Sequence, residues 1–216
     1  MIKVIGFGAG GHARVIVDIL MTIGGFDIVG LLDQNQSLWN TEVLGVLVLG
    51  DDGLRDELHQ RGIHTAFIGL GSIKNAEPRK RLYELARTSG FELVRAIHPG
   101  AVVSQHAIIG DGPMIMAGAV VNPAARIGNN VIINSGAIVE HDCEIADHAH
   151  VATGARLGGA VKVGESSHVG LGASIREGIR VGNGAIVGAG AVVIEDVPDR
   201  TVVAGVPARV LRTVNS

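Results

Sequence analysis

The second half of the chain repeats one hydrophobic position every six residues. From Val103 to Val193, sixteen consecutive positions of this register are Val, Ile or Leu. The residue two places before each of them is mostly small, for example Ala119, Ala137 and Cys143. A period of six with two inward-facing positions is typical of a parallel β-helix, in which three hexapeptides form one triangular coil. This pattern predicts about five coils, stacked into a prism roughly 25 Å tall at about 4.8 Å per strand.

The first half follows a different pattern, in which short apolar runs alternate with amphipathic segments. Such alternation of strands and helices predicts a parallel sheet with helical crossovers. We therefore expect an α/β Rossmann-like half domain at residues 1–97 and a left-handed parallel β-helix of hexapeptide repeats at residues 98–216. The predicted strands are 2–6, 27–32, 65–70 and 91–94, and the predicted helices are 12–23, 52–61 and 77–89.

Composition and charge exclude several classes of partner. Glycine accounts for 32 of the 216 residues and aromatic residues for 3%, although 47% are hydrophobic, which favours a core of small aliphatic side chains in a regular lattice. The net charge of −3 gives no basic surface for nucleic acid or an anionic membrane, and we expect neither as a partner. No run of about 18 apolar residues predicts a transmembrane helix. The single cysteine fits a reducing compartment, so we expect the cytoplasm.

A glycine-rich loop separates the first strand from the first helix. Gly6, Gly8 and Gly11 fit the pattern G-x-G-x-x-G, and Asp33 follows at the end of the second strand. This spacing is that of a dinucleotide-binding loop, so an NAD-linked oxidoreductase is one interpretation. The first half has strands for roughly one mononucleotide unit, however, so a single nucleotide fits it better. The exposed N–H groups at the helix start, with His12 beside them, would favour an anion such as a phosphate.

The stretch GAIVEHDCEIADHAH, residues 136–150, offers several kinds of chemistry. Cys143 falls on a small inward position, which predicts a core residue. A metal site needs three or four converging ligands, and His141 and His150 lie half a coil apart, so we expect no metal. His150 and His168 are one coil apart and should stack on the same face. His141 stands between two carboxylates and is therefore either a general base or a surface histidine.

Two further sets of residues are expected on the solvated surface. His106 and His148 occupy outward positions of the lattice. The basic run Arg79, Lys80 and Arg81 is predicted to form the solvent-facing side of a helix.

Several stretches of the chain together resemble the NeuD/PglD-type sugar acyltransferases. They are GAGGHARVIVDIL, NSGAIVEHDCEI, the hexapeptide run and VVAGVPARV, and they cover both halves in order. Members of that family acetylate amino groups of nucleotide-linked sugars or hydroxyls of sialic acid. By this resemblance, His141 of the EHD motif is the general base, Asp142 is its partner, and His150 contacts acetyl-CoA.

The resemblance also implies where the two ligands bind. The first domain would hold the nucleotide sugar, and acetyl-CoA would lie between neighbouring β-helices of a homotrimer. The chain departs from the family at Ser72, where asparagine is frequent, and in the Asp-Gln pair after the second strand. The implied substrate-binding residues are Gly10, Gly11, His12, Asp33, Gln34, Gly71 and Asn134, and the implied cofactor-binding residues are His150, Gly159, Leu171 and Ala189.

We therefore expect an acetyl-CoA-dependent N-acetyltransferase that acts on the amino group of a nucleotide-linked sugar. His141 would take the proton of the attacking amine, and Asp142 would fix the tautomer of the imidazole, so that no metal and no covalent enzyme intermediate are needed. A sialic acid O-acetyltransferase would share this site. A non-catalytic sugar-nucleotide-binding protein or an oxidoreductase is a further alternative. Nothing in the sequence distinguishes UDP, GDP, dTDP or CMP as the carrier.

Overall fold

The computed structural model describes residues 1–73 and 75–214, so the last two residues of the second predicted domain lie outside the described residues. The elements of the first part are β1 (Ile2–Phe7), α1 (Gly11–Ile23), β2 (Phe26–Leu32), β3 (Glu42–Val43), β4 (Val46–Gly50), α2 (Arg55–Gln60), β5 (Thr65–Ile68), α3 (Glu77–Thr88) and β6 (Glu92–Leu93), with 3-10 turns at Gln36–Leu38 and Asp52–Leu54. They form a sheet with the order β3–β4–β2–β1–β5–β6. Its strands are parallel from β4 to β6, as the alternating pattern predicts.

The predicted helices and strands of this part are confirmed to within a few residues at their ends. The sequence pattern missed β3 and β4, which pair antiparallel across a tight turn. Leu44 and Gly45 occupy this turn with φ of 51° and 81°. Turns of this kind usually carry Asn-Gly or Asp-Gly, and a leucine at positive φ gives no such signal in the sequence.

The second part is a triangular prism of stacked short strands. They are β7 (Ala96–Ile97), β8 (Val102–Val103), β9 (Ile108–Ile109), β10 (Met114–Ile115), β11 (Val120–Val121), β12 (Arg126–Ile127), β13 (Ile132–Ile133), β14 (Ile138–Val139), β15 (Glu144–Ile145), β16 (His150–Val151), β17 (Arg156–Leu157), β18 (Lys162–Val163), β19 (His168–Val169), β20 (Ser174–Ile175), β21 (Arg180–Val181), β22 (Ile186–Val187), β23 (Val192–Val193), β24 (Thr201–Ala204) and β25 (Arg209–Thr213). From β7 to β23, every third strand joins the same sheet, which gives three faces, and β24 and β25 extend face one beyond β22. Face one starts with β7, face two with β8 and face three with β9. The prism begins at Ala96, slightly before the predicted start at residue 98, because β7 pairs with β10.

The core of the prism follows the six-residue lattice. Val121, Val139 and Val151 of the aliphatic register are at most 1% exposed, and Cys143 is fully buried among them. Burial raises the pKa of the Cys143 thiol to about 11, so the thiol stays protonated at neutral pH. The prediction that Cys143 is a core residue is therefore confirmed.

The first part docks onto face one of the prism. Met114 and Ile132 point outward from face one, yet both are 0% exposed because they pack into the core of the first part. The shared core fixes the position of the glycine loop relative to the coils. Among the described residues, no helix is long and apolar enough to cross a bilayer.

Candidate active site

His141 and Asp142 form a hydrogen-bonded pair at one corner of the prism. Both lie in the turn between β14 and β15, which is the corner between faces two and three. Nδ1 of His141 is 2.7 Å from Oδ2 of Asp142, and the two side chains are 63% and 61% exposed. A carboxylate accepts hydrogen bonds, so this contact places the proton of a neutral imidazole on Nδ1 and leaves Nε2 free to accept a proton.

The other carboxylate of the EHD motif is occupied elsewhere. Oε2 of Glu140 accepts a hydrogen bond of 2.9 Å from Nδ2 of Asn122, one coil earlier. Asp142 has a φ of 60°, a left-handed conformation that aspartate tolerates better than most residues and that turns its carboxylate back toward the imidazole. One carboxylate therefore orients His141.

Gly159, an implied cofactor contact, lies in the same corner as His141 and one coil further along. The N–H of the next residue, Ala160, donates to the carbonyl oxygen of His141 over 2.9 Å. The two other implied contacts of this type, Leu171 and Ala189, are exposed at the corner between faces one and two. The prism thus presents the implied cofactor residues at two different corners.

His150 is buried under the first part of the chain. It is 4% exposed, and its Nδ1 lies 3.2 Å from the carbonyl oxygen of Ser72 while Nδ2 of Asn134 lies 3.4 Å from its Nε2. Burial lowers the pKa of His150 to about 4, helped by the neighbouring His168. The His150 and His168 rings stack edge to face at 4.8 Å, which confirms the predicted stacking. The contact of His150 with acetyl-CoA stays a prediction. Both ring nitrogens already lie near hydrogen-bonding partners in this chain.

The glycine loop leaves open space at the start of α1. Gly10 and Gly11 are exposed, and a Cβ at either position would meet nothing within 4 Å. No side chain caps the N-terminus of α1, so its first N–H groups are available to an anion. The carboxylate of Asp33 holds the loop in place by accepting the N–H of Ala9 at 2.8 Å.

A cavity of about 220 Å³ opens at the carboxyl ends of the parallel strands, where nucleotides bind in folds of this type. Asp33 and Gln34 lie on its wall together with Asp52 and Arg81. Gln34 is exposed, and its Nε2 donates to Oδ2 of Asp52 over 3.3 Å. The glycine loop borders the same cavity through Gly8. The structure therefore places the implied nucleotide-binding residues Asp33 and Gln34 on the cavity wall, and Asp33 binds Ala9, which directly precedes Gly10 and Gly11.

His12 contacts the prism through a sulfur atom. Its Nε2 lies 3.2 Å from Sδ of Met114, and its ring faces Gly71. Burial, with Arg79 and His150 nearby, lowers the pKa of His12 to about 3. His12 is thus neutral at physiological pH, so the uncapped N–H groups at the start of α1, and not a charge on His12, would favour an anion there.

The predicted surface position of the basic run is wrong for Arg79. Arg79 is 1% exposed, and its guanidinium donates to the carbonyl oxygens of Ile68 at 2.8 Å and Leu70 at 2.5 Å. Its Nε also reaches the carbonyl oxygen of Asn130 on the prism at 3.4 Å. Burial lowers the pKa of Arg79 to about 9, which still leaves it charged at neutral pH.

The two other residues of the basic run lie nearer the surface than Arg79, whereas His148 is more buried than the sequence pattern predicts. Lys80 forms an ion pair of 2.7 Å with Glu165, and Arg81 is exposed at the nucleotide cavity. His148 was predicted on the surface, but it is 7% exposed because Tyr83 of α3 covers it at a ring distance of 5.4 Å. Docking of α3 onto the prism buries both His148 and Arg79. The hydrophobic pattern of one helix or one coil does not indicate which other element will cover it.

The implied site residues of one chain do not meet in one place. In a triangular prism, the corner between faces two and three is opposite to face one. His141 lies at that corner, whereas His12, Gly71 and His150 lie on or above face one. Within the described residues, no group of three or more His, Cys, Asp or Glu side chains is placed to hold a metal ion.

Comparison with known families gives matches in both parts of the chain. The family described as PglD N-terminal domain matches residues 3–86, and the bacterial transferase hexapeptide family matches residues 106–140 and 124–159. These repeats agree with the predicted left-handed β-helix. A sequence search of curated proteins found no match.

Solved structures similar to this chain include sugar N-acetyltransferases. A histidine-to-asparagine variant of perosamine N-acetyltransferase from Caulobacter crescentus, in complex with CoA and GDP-perosamine, is 38% identical over 97% of each chain, with a TM-score of 0.91. The acetyltransferase domain of PglB from Neisseria gonorrhoeae FA1090, in complex with acetyl coenzyme A, is 36% identical over 97% of this chain and 99% of that one, with a TM-score of 0.90. WeeI from Acinetobacter baumannii AYE is 26% identical over 97% and 100%, with a TM-score of 0.72.

The similarity to the Caulobacter and Neisseria structures extends over nearly the whole of this chain and of each relative, and it includes both domains in the same order. A shared β-helix alone would not produce it, because hexapeptide repeats occur without this N-terminal domain. The chain therefore belongs to the NeuD/PglD-type sugar acyltransferases.

Proposed function

We propose that this protein is an acetyl-CoA-dependent N-acetyltransferase that acts on the amino group of a nucleotide-linked amino sugar. The observation that carries the proposal is the His141–Asp142 pair, whose free Nε2 is exposed on the prism of a chain that also has a nucleotide-type cavity. The related perosamine N-acetyltransferase was solved with CoA and GDP-perosamine, and the PglB domain with acetyl-CoA. These ligands are of the class that the site of this chain would need.

The proposed reaction is a direct transfer. The amine nitrogen attacks the thioester carbonyl and Nε2 of His141 takes the proton that the nitrogen loses. The C–S bond then breaks, and the imidazolium gives this proton to the leaving sulfur, so that CoA departs as the thiol and His141 is again neutral. Asp142 holds Nδ1–H, so the imidazole keeps its acceptor toward the amine and its positive charge is stabilised once it is protonated. A general base of this kind contributes on the order of 10² to 10⁴ in rate.

We assign the nucleotide sugar to the first domain and acetyl-CoA to the prism. Gly10 and Gly11 border open space, Gly71 faces the His12 ring, and Asp33 and Gln34 line the cavity at the strand ends. Glycine lets the backbone approach a phosphate, and a diphosphate suits the uncapped start of α1. The acetyl-CoA contacts proposed on the prism are His150, Gly159, Leu171 and Ala189, and Asn134 is proposed as a substrate contact.

The separation of His141 from the nucleotide domain supports a site shared between copies. A single chain presents the base at the corner opposite to face one, while its own glycine loop lies over face one. A second copy that brings its His141 corner beside this domain would complete the site. We propose a cyclic homotrimer, with acetyl-CoA between neighbouring prisms. We also propose the cytoplasm, where a single cysteine stays reduced.

A substrate panel tests the proposed function. Amino sugars linked to UDP, GDP, dTDP and CMP would be incubated with acetyl-CoA, and release of the free thiol would be followed with the mass of the sugar product. We expect turnover with at least one member and a product that keeps its acetyl group in alkaline hydroxylamine, as an amide does. A product that loses the group would be an ester and would indicate an O-acetyltransferase. No thiol release with any amino or hydroxy sugar would contradict an acetyltransferase.

A further inference from the structure

A thioether sulfur lies between two nitrogen donors where the first domain meets the prism. Sδ of Met114 is 3.2 Å from Nε2 of His12 and 3.5 Å from a terminal nitrogen of Arg79. Met114 is 0% exposed, so water does not replace either contact. A thioether accepts weak hydrogen bonds and has no proton to donate.

This arrangement favours one tautomer of His12. Because the sulfur is an acceptor, Nε2 of His12 must be the nitrogen that carries the proton if the contact is a hydrogen bond. A neutral imidazole has one proton on its two ring nitrogens, so Nδ1 then carries a lone pair. Burial of the ring, and then the charge of the neighbouring Arg79, lower the pKa of His12 and so oppose a second proton on it.

The Nδ1 side of the His12 ring faces Gly71, one of the implied substrate-binding residues. Nδ1 and Cγ of His12 lie 3.9 and 3.8 Å from the position that a Cβ of Gly71 would occupy, so no side chain of residue 71 covers this edge of the half-buried ring. In the part of the chain that the structure describes, Nδ1 makes no hydrogen bond, whereas Nε2 has one. The available nitrogen is thus the one without the proton.

We infer that His12 is a hydrogen-bond acceptor that selects a donor group on the sugar of the substrate, with Met114 as the positioning residue that holds its tautomer. This inference rests on the proposed function and specifies one of its contacts. The donor would be a hydroxyl or the ammonium group of the sugar. A diphosphate is excluded as the partner of Nδ1, because its oxygens are acceptors at neutral pH and would face another lone pair.

The tautomer is measured directly in the free protein. Long-range 1H–15N correlation spectra of protein with 15N-labelled histidine would be recorded at pH 7, and the His12 signals would be assigned by their loss in His12→Gln. We expect an unprotonated Nδ1 and a protonated Nε2. A protonated Nδ1, or an imidazolium at pH 7, would overturn the inference. This result does not depend on which sugar is acetylated, so it separates this inference from the proposed function.

Substitution of Met114 tests the lock on the tautomer. Met114→Leu removes the acceptor at nearly constant volume. The His12 signals should move toward a mixture of both tautomers, and KM for the nucleotide sugar should rise about threefold to fivefold with little change in kcat. Met116→Leu, in the same buried cluster but without a hydrogen bond to His12 among the described residues, is the matched control. If Met114→Leu leaves the His12 tautomer unchanged, the thioether does not hold it.

Substitution of His12 tests the acceptor role with the acceptor sugar found by the panel. Gln offers a carbonyl acceptor, and His12→Gln should keep KM within about threefold of wild type. His12→Leu and His12→Lys should raise KM at least tenfold while the affinity for the matching nucleoside diphosphate, measured by calorimetry, stays within about twofold. A lysine variant that binds the nucleotide sugar as tightly as wild type would show that His12 faces an anion. Thermal unfolding of each variant would identify a loss of folding. The Met114→Leu test keeps His12 itself, so it still tests the inference if a variant at position 12 does not fold.

Discussion

The imidazole of His141 rests directly against the backbone of Gly159. A Cβ built at Gly159 would lie 2.7 Å from Cε1 and 2.8 Å from Nε2 of His141, which is closer than side chains pack. Gly159 does not have a positive φ, so its backbone conformation would accept a side chain. A side chain at this position would instead push against the His141 ring. The residue predicted as a cofactor contact therefore also sets the position of the proposed base.

The first prediction concerns this contact. Gly159→Ala should displace Nε2 of His141 by several tenths of an ångström and lower kcat about tenfold or more, because proton transfer depends on geometry. A double-mutant cycle with His141→Ala provides the control. In the absence of the imidazole, the added methyl group should have little further effect on kcat. Equal losses of kcat with and without His141 would show that Gly159 acts independently of the base.

The second prediction separates the two carboxylates of the EHD motif. Asp142→Asn keeps a residue that tolerates positive φ but removes the carboxylate that orients His141, and it should lower kcat by roughly tenfold or more. Glu140→Gln is the matched change on the other side of the histidine, where the carboxylate binds Asn122 instead. It should keep kcat within about twofold. Steady-state assays of both variants would check this, and the reverse ranking would assign the orienting role to Glu140.

The third prediction concerns the shared site. His141→Ala lacks the base. Gly11→Val places a side chain in the open space at the glycine loop, where it should block the nucleotide sugar without disturbing the fold. Each variant alone should be nearly inactive. If each site takes its base from one copy and its nucleotide domain from another, randomly mixed equal amounts should recover about a quarter of wild-type activity in a cyclic trimer. Assays after co-expression or joint refolding would measure this recovery.

No recovery in verified mixed oligomers would contradict the shared site. In that case the base and the glycine loop of one chain would have to act together. Every chain in the mixture lacks either His141 or an intact loop, so no site would be active. Oligomers of wild type mixed with either single variant would serve as the control for assembly.

The fourth prediction follows from the histidines that docking buries. The folded pKa values are about 3 for His12 and about 4 for His150, both below the unfolded value of 6.5. Below pH 6.5 the unfolded chain binds protons that the folded chain does not, so stability is full above pH 6.5 and falls as the pH decreases toward the folded values. Between pH 7 and pH 5 each histidine should lower the free energy of unfolding by about 2 kcal/mol.

Urea unfolding at pH 7 and pH 5, at one protein concentration, would measure the loss. His150→Gln should reduce the difference between the two pH values, whereas His106→Gln, at an exposed position, should not. A free energy of unfolding that is unchanged between pH 7 and pH 5 would mean that these histidines are not buried in solution as the structure shows.

The sequence predicted those parts of the fold that local periodicity determines. The six-residue register correctly placed Val139 and Val151 in the core, and it identified Cys143 as a core residue because position on the lattice decides burial there. The register continues to Ile97, which the sequence analysis had assigned to the first domain. The β3–β4 hairpin was missed because Leu44 at its turn is an unusual residue for positive φ.

Docking between the two domains could not be predicted from the same patterns. Arg79 is charged and lies in a basic run, so helix amphipathicity placed it in solvent, although its partners are carbonyl oxygens of β5 and of the prism. Met114 has no motif around it, yet it contacts His12 across the interface. An outward position was the available signal for Met114 on face one and for His148 in the turn between β15 and β16, and it becomes informative once the first domain is known to cover that side of the prism.

The measurement that tests the account most directly is the turnover of His141→Ala with the acceptor sugar found by the panel. We expect a kcat at least about a hundredfold below wild type, because the variant loses proton transfer, and an acetyl-CoA Kd within about twofold of wild type, because it loses little binding surface. A His141→Ala protein that keeps more than half of the wild-type kcat would contradict the assignment of His141 as the base.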